Sequence, residues 1–153
     1  MPFPKIVSGG QTGADRAALD WALANGIQHN GWCPSGRLAE DGPIAARYHL
    51  KETPNTTYIQ RTEWNIRDSD ATVIISQSPT LTGGSLATLE LANTLRKPCL
   101  HLHGNQSIAK NAHALREFIE KTQSTTLNIA GPRASGEPAI TALVTAILDA
   151  ACE

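Results

Sequence analysis

KIVSGGQTGADRAALDWALANG, Lys5 to Gly26, is the stretch whose reading decides the fold. Lys5 to Ser8 is a short apolar run that ends in Gly9-Gly10, the pattern of a buried first strand. Asp15 to Asn25 is rich in Ala and Leu and reads as a helix, stopped by Gly26, a residue suited to the position just past a helix end. Thr12 and Asp15 have the Thr-x-x-Asp spacing of a capping box. A strand that passes through glycines directly into a helix is the opening of a βα unit.

Working outward, the same alternation recurs. Gly31 to Pro34 is a weak strand, and residues 35–56 show no period, which predicts a functional lid or binding loop. Tyr58 to Asp68 reads as a second helix, with Thr57 and Gln60 spaced as a capping box. Ala71 to Ser76 is the clearest buried strand. A Pro-Thr-Leu-Thr-Gly-Gly loop leads to a helix over Ser85 to Lys97, ended by Pro98. Then come a strand at Cys99 to His103, a helix at Asn111 to Thr122, a strand at Thr126 to Ala130 and a closing helix at Pro138 to Ala151. The expected fold is one α/β domain over residues 1–153, a Rossmann-like doubly wound parallel sheet of about five strands with helices on both faces. The expected strand order is 2-1-3-4-5.

The chain has 153 residues, 13 Lys plus Arg against 14 Asp plus Glu, and a net charge of -1. That balance argues against a nonspecific nucleic-acid binder, which needs surplus cations to neutralise phosphates. No apolar run approaches a membrane span of about 18 residues. The N-terminus carries no apolar signal region, and Cys33, Cys99 and Cys152 are odd in number and widely spaced, so reduced thiols in the cytoplasm are expected. Charge and aromatic residues are uneven. Residues 37–70 hold 11 of the 27 charged side chains, and Trp21, Trp32, Tyr48, Tyr58 and Trp64 are five of the seven aromatics. From Ser85 onward the sequence reads as scaffold.

In an open parallel sheet, ligands sit beyond the carboxyl ends of the strands where strand order reverses. With the expected order, the loops there are Ser8 to Gly13 and Thr80 to Ser85. Both are glycine-rich and both open a helix, whose unpaired N–H groups and partial positive charge suit a phosphate or similar anion. The first loop lacks the leading glycine of the dinucleotide fingerprint, and no Gly-Lys-Ser/Thr of a P-loop occurs. On the second helix Tyr58, Arg61, Asn65 and Asp68 share a narrow face bracketed by apolar residues. That stripe is either a hydrogen-bonding site wall or a structural network, with Arg61 joined to Asp68. Glu90, between Leu89 and Leu91, is a candidate general acid or base or else a surface carboxylate. Cys99, His101 and His103 alternate along one strand and share a face, without a further ligand nearby in sequence; no protein-ligated metal is expected there or at Cys33.

Five segments resemble the molybdenum carrier (molybdenum cofactor carrier protein) family. They are SGGQTGADRAALDWA (Ser8 to Ala22), GWCPSGRLAEDGPI (Gly31 to Ile44), the Tyr-x-x-Arg-Thr-Glu-x-Asn-x-x-Asp-Ser-Asp-Ala run from Tyr58 to Ala71, and LTGGSLATLELA with KPCLHL. The resemblance implies a Rossmann-like superfamily that also holds nucleotide sensors and cytokinin-activating phosphoribohydrolases. Thr82-Gly-Gly-Ser with Glu90 is similar to the P-G-G-x-G-T-x-x-E motif of those hydrolases, but only the glycine pair and the glutamate carry over.

The carrier resemblance implies the molybdenum cofactor as bound cargo, a pterin with a phosphate tail and an oxo-metal. Phosphate and oxo groups need N–H donors, expected from Gly9, Gly10, Thr12 and Gly13 in the first loop and Gly83, Gly84 and Ser85 in the second. The pterin edge needs partners such as Arg61, Asn65 and Asp68, with Trp32 expected over the ring. Gln11, Asp15, Ser69, Thr82 and Glu90 complete the expected cofactor-binding set. The charged stretch through Arg37, Asp41 and Arg47 is the expected lid. The resemblance also implies a homo-oligomer and molybdoenzymes as acceptors. Two alternatives stay open: a nucleotide-processing hydrolase with Glu90 and Arg61 catalytic, and a nucleotide sensor without turnover.

Overall fold

The computed structural model describes residues 2–153. In chain order the elements are β1 (Lys5–Val7), α1 (Ala14–Ala24), β2 (His29–Asn30), β3 (Trp32–Cys33), β4 (Lys51–Glu52), α2 (Tyr58–Arg67), β5 (Ala71–Ser76), α3 (Gly83–Thr94), β6 (Cys99–His103), α4 (Ile108–Thr122), β7 (Thr126–Ala130) and α5 (Ile140–Cys152). Five strands form one parallel sheet, and β3 and β4 form a separate parallel pair. Helices α1, α5 and α4 pack on one face of the sheet, and α2 and α3 lie on the other. The Rossmann-like α/β class is therefore as the sequence indicates.

The strand order is not. The sheet runs β2-β1-β7-β5-β6, so the last strand of the chain lies in the middle rather than at an edge. Ile6 pairs with Leu127 on one side of β7, and Val73 pairs with Ile129 on the other. Helix α5 shows why. Ile140, Leu143, Val144, Ile147, Leu148 and Ala151 recur at helical spacing and are all buried. A helix with so broad an apolar face must be covered on both flanks, and α1 and α4 provide the cover. Trp21 Nε1 donates to Asp149 Oδ1 at 2.8 Å, and Arg116 Nη1 donates to the Ala150 carbonyl at 2.9 Å, tying both neighbours to α5. Counting strands from β7 converts the order to 3-2-1-4-5, the doubly wound arrangement with its start moved.

The expected strand at 31–34 is split. His29 and Asn30 pair with β1, and then Gly31 turns the chain away at φ 148°. A Cβ on Gly31 would lie 2.1 Å from the Ser8 carbonyl oxygen, so only glycine allows this crossing. Trp32 and Cys33 then pair with Lys51 and Glu52.

Residues 35–56 are not structureless. Leu19, Cys33, Ile44 and Tyr48 form a second small core beneath them. Arg37 donates to the carbonyls of Ile44, Ala45, Tyr48 and Leu50, and Arg16 pairs with Asp41. Both expected capping boxes are absent. Thr12 Oγ1 donates to Glu40, while Asp15 Oδ2 accepts from the Gln11 N–H at 3.3 Å; Gln60 Oε1 accepts from the Asn55 N–H at 2.8 Å. Among the described residues no helix is long and apolar enough to cross a membrane.

Candidate functional site

The order β1-β7-β5 places three loops side by side at the carboxyl edge of the sheet. They are the β1–α1 loop with Gly9 and Gln11, the β7–α5 loop over 131–136, and the β5–α3 loop ending at Thr82. Together with α2 they enclose a cleft of about 430 Å³, within the range of about 300–1,000 Å³ usual for small-molecule sites. It lies over the end of β7, beside the β7–β5 step where strand order reverses.

The walls are built to hold Arg61. It reaches from α2 across the β1–α1 loop, and Nη1 meets Asp15 Oδ2 at 3.0 Å, with the two side chains 11% and 6% exposed. Gly9 makes room for it, because a Cβ there would stand 1.9 Å from Arg61 Nη1. Burial pushes the Asp15 carboxyl above the usual carboxylate range, while the Arg61 charge and the Gln11 N–H work in the other direction. Gly13 and Gly131 let the β7–α5 loop meet the β1–α1 loop and the end of β5 backbone to backbone. A Cβ on Gly13 would lie 2.5 Å from the Pro132 carbonyl, and one on Gly131 would lie 2.2 Å from that of Ile75.

Two carboxylates fix the loops from outside. Glu137 accepts from the Gln77 N–H at 2.7 Å and the Ser78 N–H at 3.3 Å, holding the start of the β5–α3 loop. Glu40 accepts from Ser135 Oγ at 2.6 Å and from Thr12, and hydrogen bonds from these groups hold its carboxyl below the usual range.

The cleft has unmet hydrogen-bonding capacity. Gln11 Oε1, Arg61 Nε and Ser85 Oγ are buried without a partner among the described residues, and all three residues line it. Helix α3 opens into it from Thr82 with no side-chain cap, and a Cβ on Gly83 or Gly84 would meet nothing within 4 Å. From the β7–α5 loop, Arg133 lays its guanidinium 4.4 Å from the Tyr58 ring centroid. Asp15 is the only acidic residue among those lining the cleft.

The sequence model of the circularly permutated YpsA SLOG family matches residues 6–152. The chain belongs to that family. A crystal structure of a "Putative molybdenum carrier protein" from Syntrophus aciditrophicus SB is similar to it at TM-score 0.96 and 44% identity, covering 99% of this chain and 96% of that one. No curated protein matches it. The circular permutation in the family description agrees with the strand order, in which β7 and α5 come last in the chain but first in a doubly wound count.

In this member of the circularly permutated YpsA SLOG family, Gly9, Gln11, Asp15, Arg61, Asn65, Thr82, Gly84 and Ser85 line the cleft. Gly10, Thr12, Gly13 and Gly83 belong to the same loops without lining it. The polar face of α2 divides. Tyr58 and Arg61 look into the cleft, whereas Asn65 clamps both the N–H and the carbonyl of Trp32, at 2.7 and 2.9 Å. Asp68 accepts from Trp32 Nε1 at 2.8 Å and pairs with Arg67 rather than Arg61. Trp32 packs edge-on to Trp64, away from the cleft, and so does not cover it. Ser69 Oγ donates to the Asn65 carbonyl, inside α2's own end.

Glu90 is exposed on α3 and outside the lining, because Ser85, Thr88 and Ala92 are the residues α3 turns inward. No residue of 37–47 lines the cleft, so the expected lid is a strap bound to α1. His101 Nε2 meets Ser76 Oγ at 2.6 Å, and burial, with His103 alongside, lowers its pKa. Among the described residues no three His, Cys, Asp or Glu side chains group as metal ligands. The sequence reading missed Asn128, Gly131, Arg133 and Ser135. The signal was present in Ala130-Gly-Pro-Arg-Ala-Ser-Gly136, a third glycine-bearing turn after a strand.

Proposed function

We propose that this protein binds the molybdenum cofactor, a pterin phosphate anion, in the cleft over the end of β7 and carries or stores it without turnover. The observation that carries the reading is the set of unpartnered buried polar atoms, Gln11 Oε1, Arg61 Nε and Ser85 Oγ, lining a cleft into which uncapped α3 opens. Buried polar groups without partners in the free protein are groups a ligand can satisfy. The α3 N–H groups and Arg133 would hold the phosphate and oxo groups, and Gln11 and Asn128 would meet the pterin edge. The cofactor brings its own sulfur ligands to molybdenum, so the donor set of this cleft, amides, hydroxyls and guanidinium, fits the parts of the cargo that remain. The neighbour named a molybdenum carrier protein, alike over nearly its full length, supports the same reading.

The carrier reading also accommodates the acids. A hydrolase needs a carboxylate at the scissile bond, and Glu90 stands outside the cleft while Asp15 is spent on Arg61. The three free thiols suit the reducing cytoplasm. Ile59 and Leu86, 65% and 39% exposed on α2 and α3, support assembly into a homo-oligomer. Molybdoenzymes would be the acceptors.

The test is mass spectrometry and metal analysis of protein purified from cells that make the cofactor. The expected result is a pterin and molybdenum in near-equal amounts with the chain. Protein that carries neither, and cannot be loaded with released cofactor, refutes the proposal.

A further inference from the structure

Tyr58 and Arg133 come from opposite walls of the cleft, one from the first turn of α2 and the other from the β7–α5 loop, and they touch across it. The Arg133 guanidinium stacks 4.4 Å from the Tyr58 ring centroid, and Arg61 flanks the same ring at 5.6 Å. Arg61 is neutralised by Asp15. Among the described residues, Arg133 has no ion pair and its guanidinium makes no hydrogen bond; Glu40, the acid nearest in charge effect, is taken up by Thr12 and Ser135. Arg133 is thus a cation parked on an aromatic face inside a cleft that has room beyond it.

We propose that Tyr58 and Arg133 form a clasp that the ligand opens, and that this clasp makes the cleft selective for a planar heteroaromatic ring joined to an anionic group. The inference rests on the cleft being the ligand site. A flat guanidinium on Tyr58 fills the space a flat ligand ring would fill. An anion gives Arg133 charge-assisted hydrogen bonds that the phenol face cannot match, and it draws the guanidinium away. The vacated face then takes the ring, edge or face against Tyr58. A bare oxyanion satisfies Arg133 and leaves the ring face empty. A bare ring must displace Arg133 while offering it nothing. Only a ligand with both parts completes the exchange. Trp32, the other aromatic candidate, is fixed by Asp68 and Trp64 outside the cleft and has no part in it.

The test is titration calorimetry on the full chain stripped of bound ligand, with five probes. These are 6-hydroxymethylpterin phosphate and AMP (ring plus anion), 6-hydroxymethylpterin (ring alone), and inorganic phosphate and molybdate (anion alone). The ring-plus-anion probes are expected to bind at least about tenfold tighter than either part, the equivalent of one stacking contact. Tyr58→Phe keeps that advantage. Tyr58→Leu removes it, and because Arg133 is then no longer held on the ring, inorganic phosphate binds no more weakly than to the wild type. Arg133→Gln weakens the phosphorylated probes by about 10- to 100-fold, the range for a charged hydrogen bond, and does not weaken the unphosphorylated pterin.

A ring advantage that survives Tyr58→Leu, molybdate binding as tightly as the pterin phosphate, or no binding of any probe to the wild type overturns the clasp. Thermal midpoints within a few degrees of the wild type show that the variants are folded. The two readings separate cleanly. If no pterin co-purifies yet AMP shows the same dependence on Tyr58 and Arg133, the carrier reading fails and the clasp stands. If pterin co-purifies and neither substitution alters probe binding, the clasp fails and the carrier reading stands.

Discussion

Replacing Gly9 by alanine tests whether the Arg61–Asp15 pair organises the cleft. The new Cβ would lie 1.9 Å from Arg61 Nη1, 2.7 Å from Cδ and 2.9 Å from Cζ, against the 3.4 Å at which ordinary contact begins. The guanidinium must therefore retreat by more than an ångström, which breaks its 3.0 Å bond to Asp15. Gly9 is not in the left-handed region, so the effect is side-chain displacement and not backbone strain. Asp15 would keep the Gln11 N–H at 3.3 Å and lose its cation while remaining buried. Breaking a buried pair from one side costs about 3–5 kcal/mol, or a fall of roughly 6–20 °C in Tm for a chain of this size.

The pH dependence has a definite sign. Burial already raises the Asp15 pKa in the folded state above its unfolded value of 3.8, and losing Arg61 raises it further. Between those two values the folded protein binds the proton that the unfolded chain gives up, so the variant loses stability as pH rises through that window. The deficit of Gly9→Ala relative to wild type therefore grows as pH rises above the folded wild type's own Asp15 pKa, which lies above 3.8. Asp15→Asn, which removes the charge, relieves much of it. Urea unfolding at several pH values measures this directly. A deficit within about 0.5 kcal/mol at neutral pH, the ordinary scatter of surface substitutions, or one that ignores both pH and Asp15→Asn, refutes the argument.

Gly84→Ala is the converse case. Its Cβ meets nothing within 4 Å, so an alanine in the first turn of α3 stabilises the free protein by up to about 0.5–1 kcal/mol. It also crowds the approach to the α3 N–H groups, so calorimetry with a pterin phosphate should show weaker binding; unchanged affinity takes the α3 terminus out of the site. Asp70 Oδ2 accepts from the Thr125 and Thr126 N–H groups at 2.9 and 3.0 Å, which holds its pKa below 3.8. Its contribution is present above that value and lost as pH falls below it, so Asp70→Asn should flatten the acid limb of a Tm-versus-pH curve; an unchanged limb shows that Asp70 is not part of it. Burial pushes the Cys99 thiol up to about 11, which leaves roughly one part in a thousand as thiolate at pH 8. Cys33 is fully buried, so a maleimide followed by mass spectrometry should mark exposed Cys152 first; equal labelling of Cys99 contradicts this.

The βα units were legible because each is a local pattern. Lys5 to Gly26 announces its strand, turn and helix within one window, and Ala71 to Ser76 is buried at every position. Strand order is a non-local choice, and there chain order misled. The cue was the breadth of the apolar face on α5, which fits a helix flanked on both sides and hence a strand in mid-sheet. Reading the chain from Ser85 onward as scaffold, on its sparser charged and aromatic residues, hides Arg133. A helical wheel placed Tyr58, Arg61, Asn65 and Asp68 on one face correctly. It could not show that Trp32 lies under one half of that face and the cleft under the other. Glu90 was drawn toward the site by Leu89 and Leu91, but α3 buries its small residues, Ser85, Thr88 and Ala92, and leaves Leu86 39% exposed. Residues 35–56 lack a period because Arg37 orders them through four backbone carbonyls, which no hydropathy pattern records.

A permuted chain keeps its site because the site belongs to sheet order. The β7–α5 loop is interlocked with the β1–α1 loop by Gly13 against Pro132, more than a hundred residues away in sequence, and with the end of β5 by Gly131 against Ile75. In a doubly wound count the turn after β7 is the first βα turn, the place where phosphate-binding glycines gather. Here it holds Gly131 and Gly136 with Arg133 between them. The break that separates α5 from β1 falls at the opposite edge of the sheet, since β1 starts there and α5 runs back to it from the carboxyl edge. Moving the ends of the chain to that edge leaves every loop around the cleft continuous. The geometry of the cleft is therefore preserved, while its residues are spread along the sequence from Gly9 to Gly136.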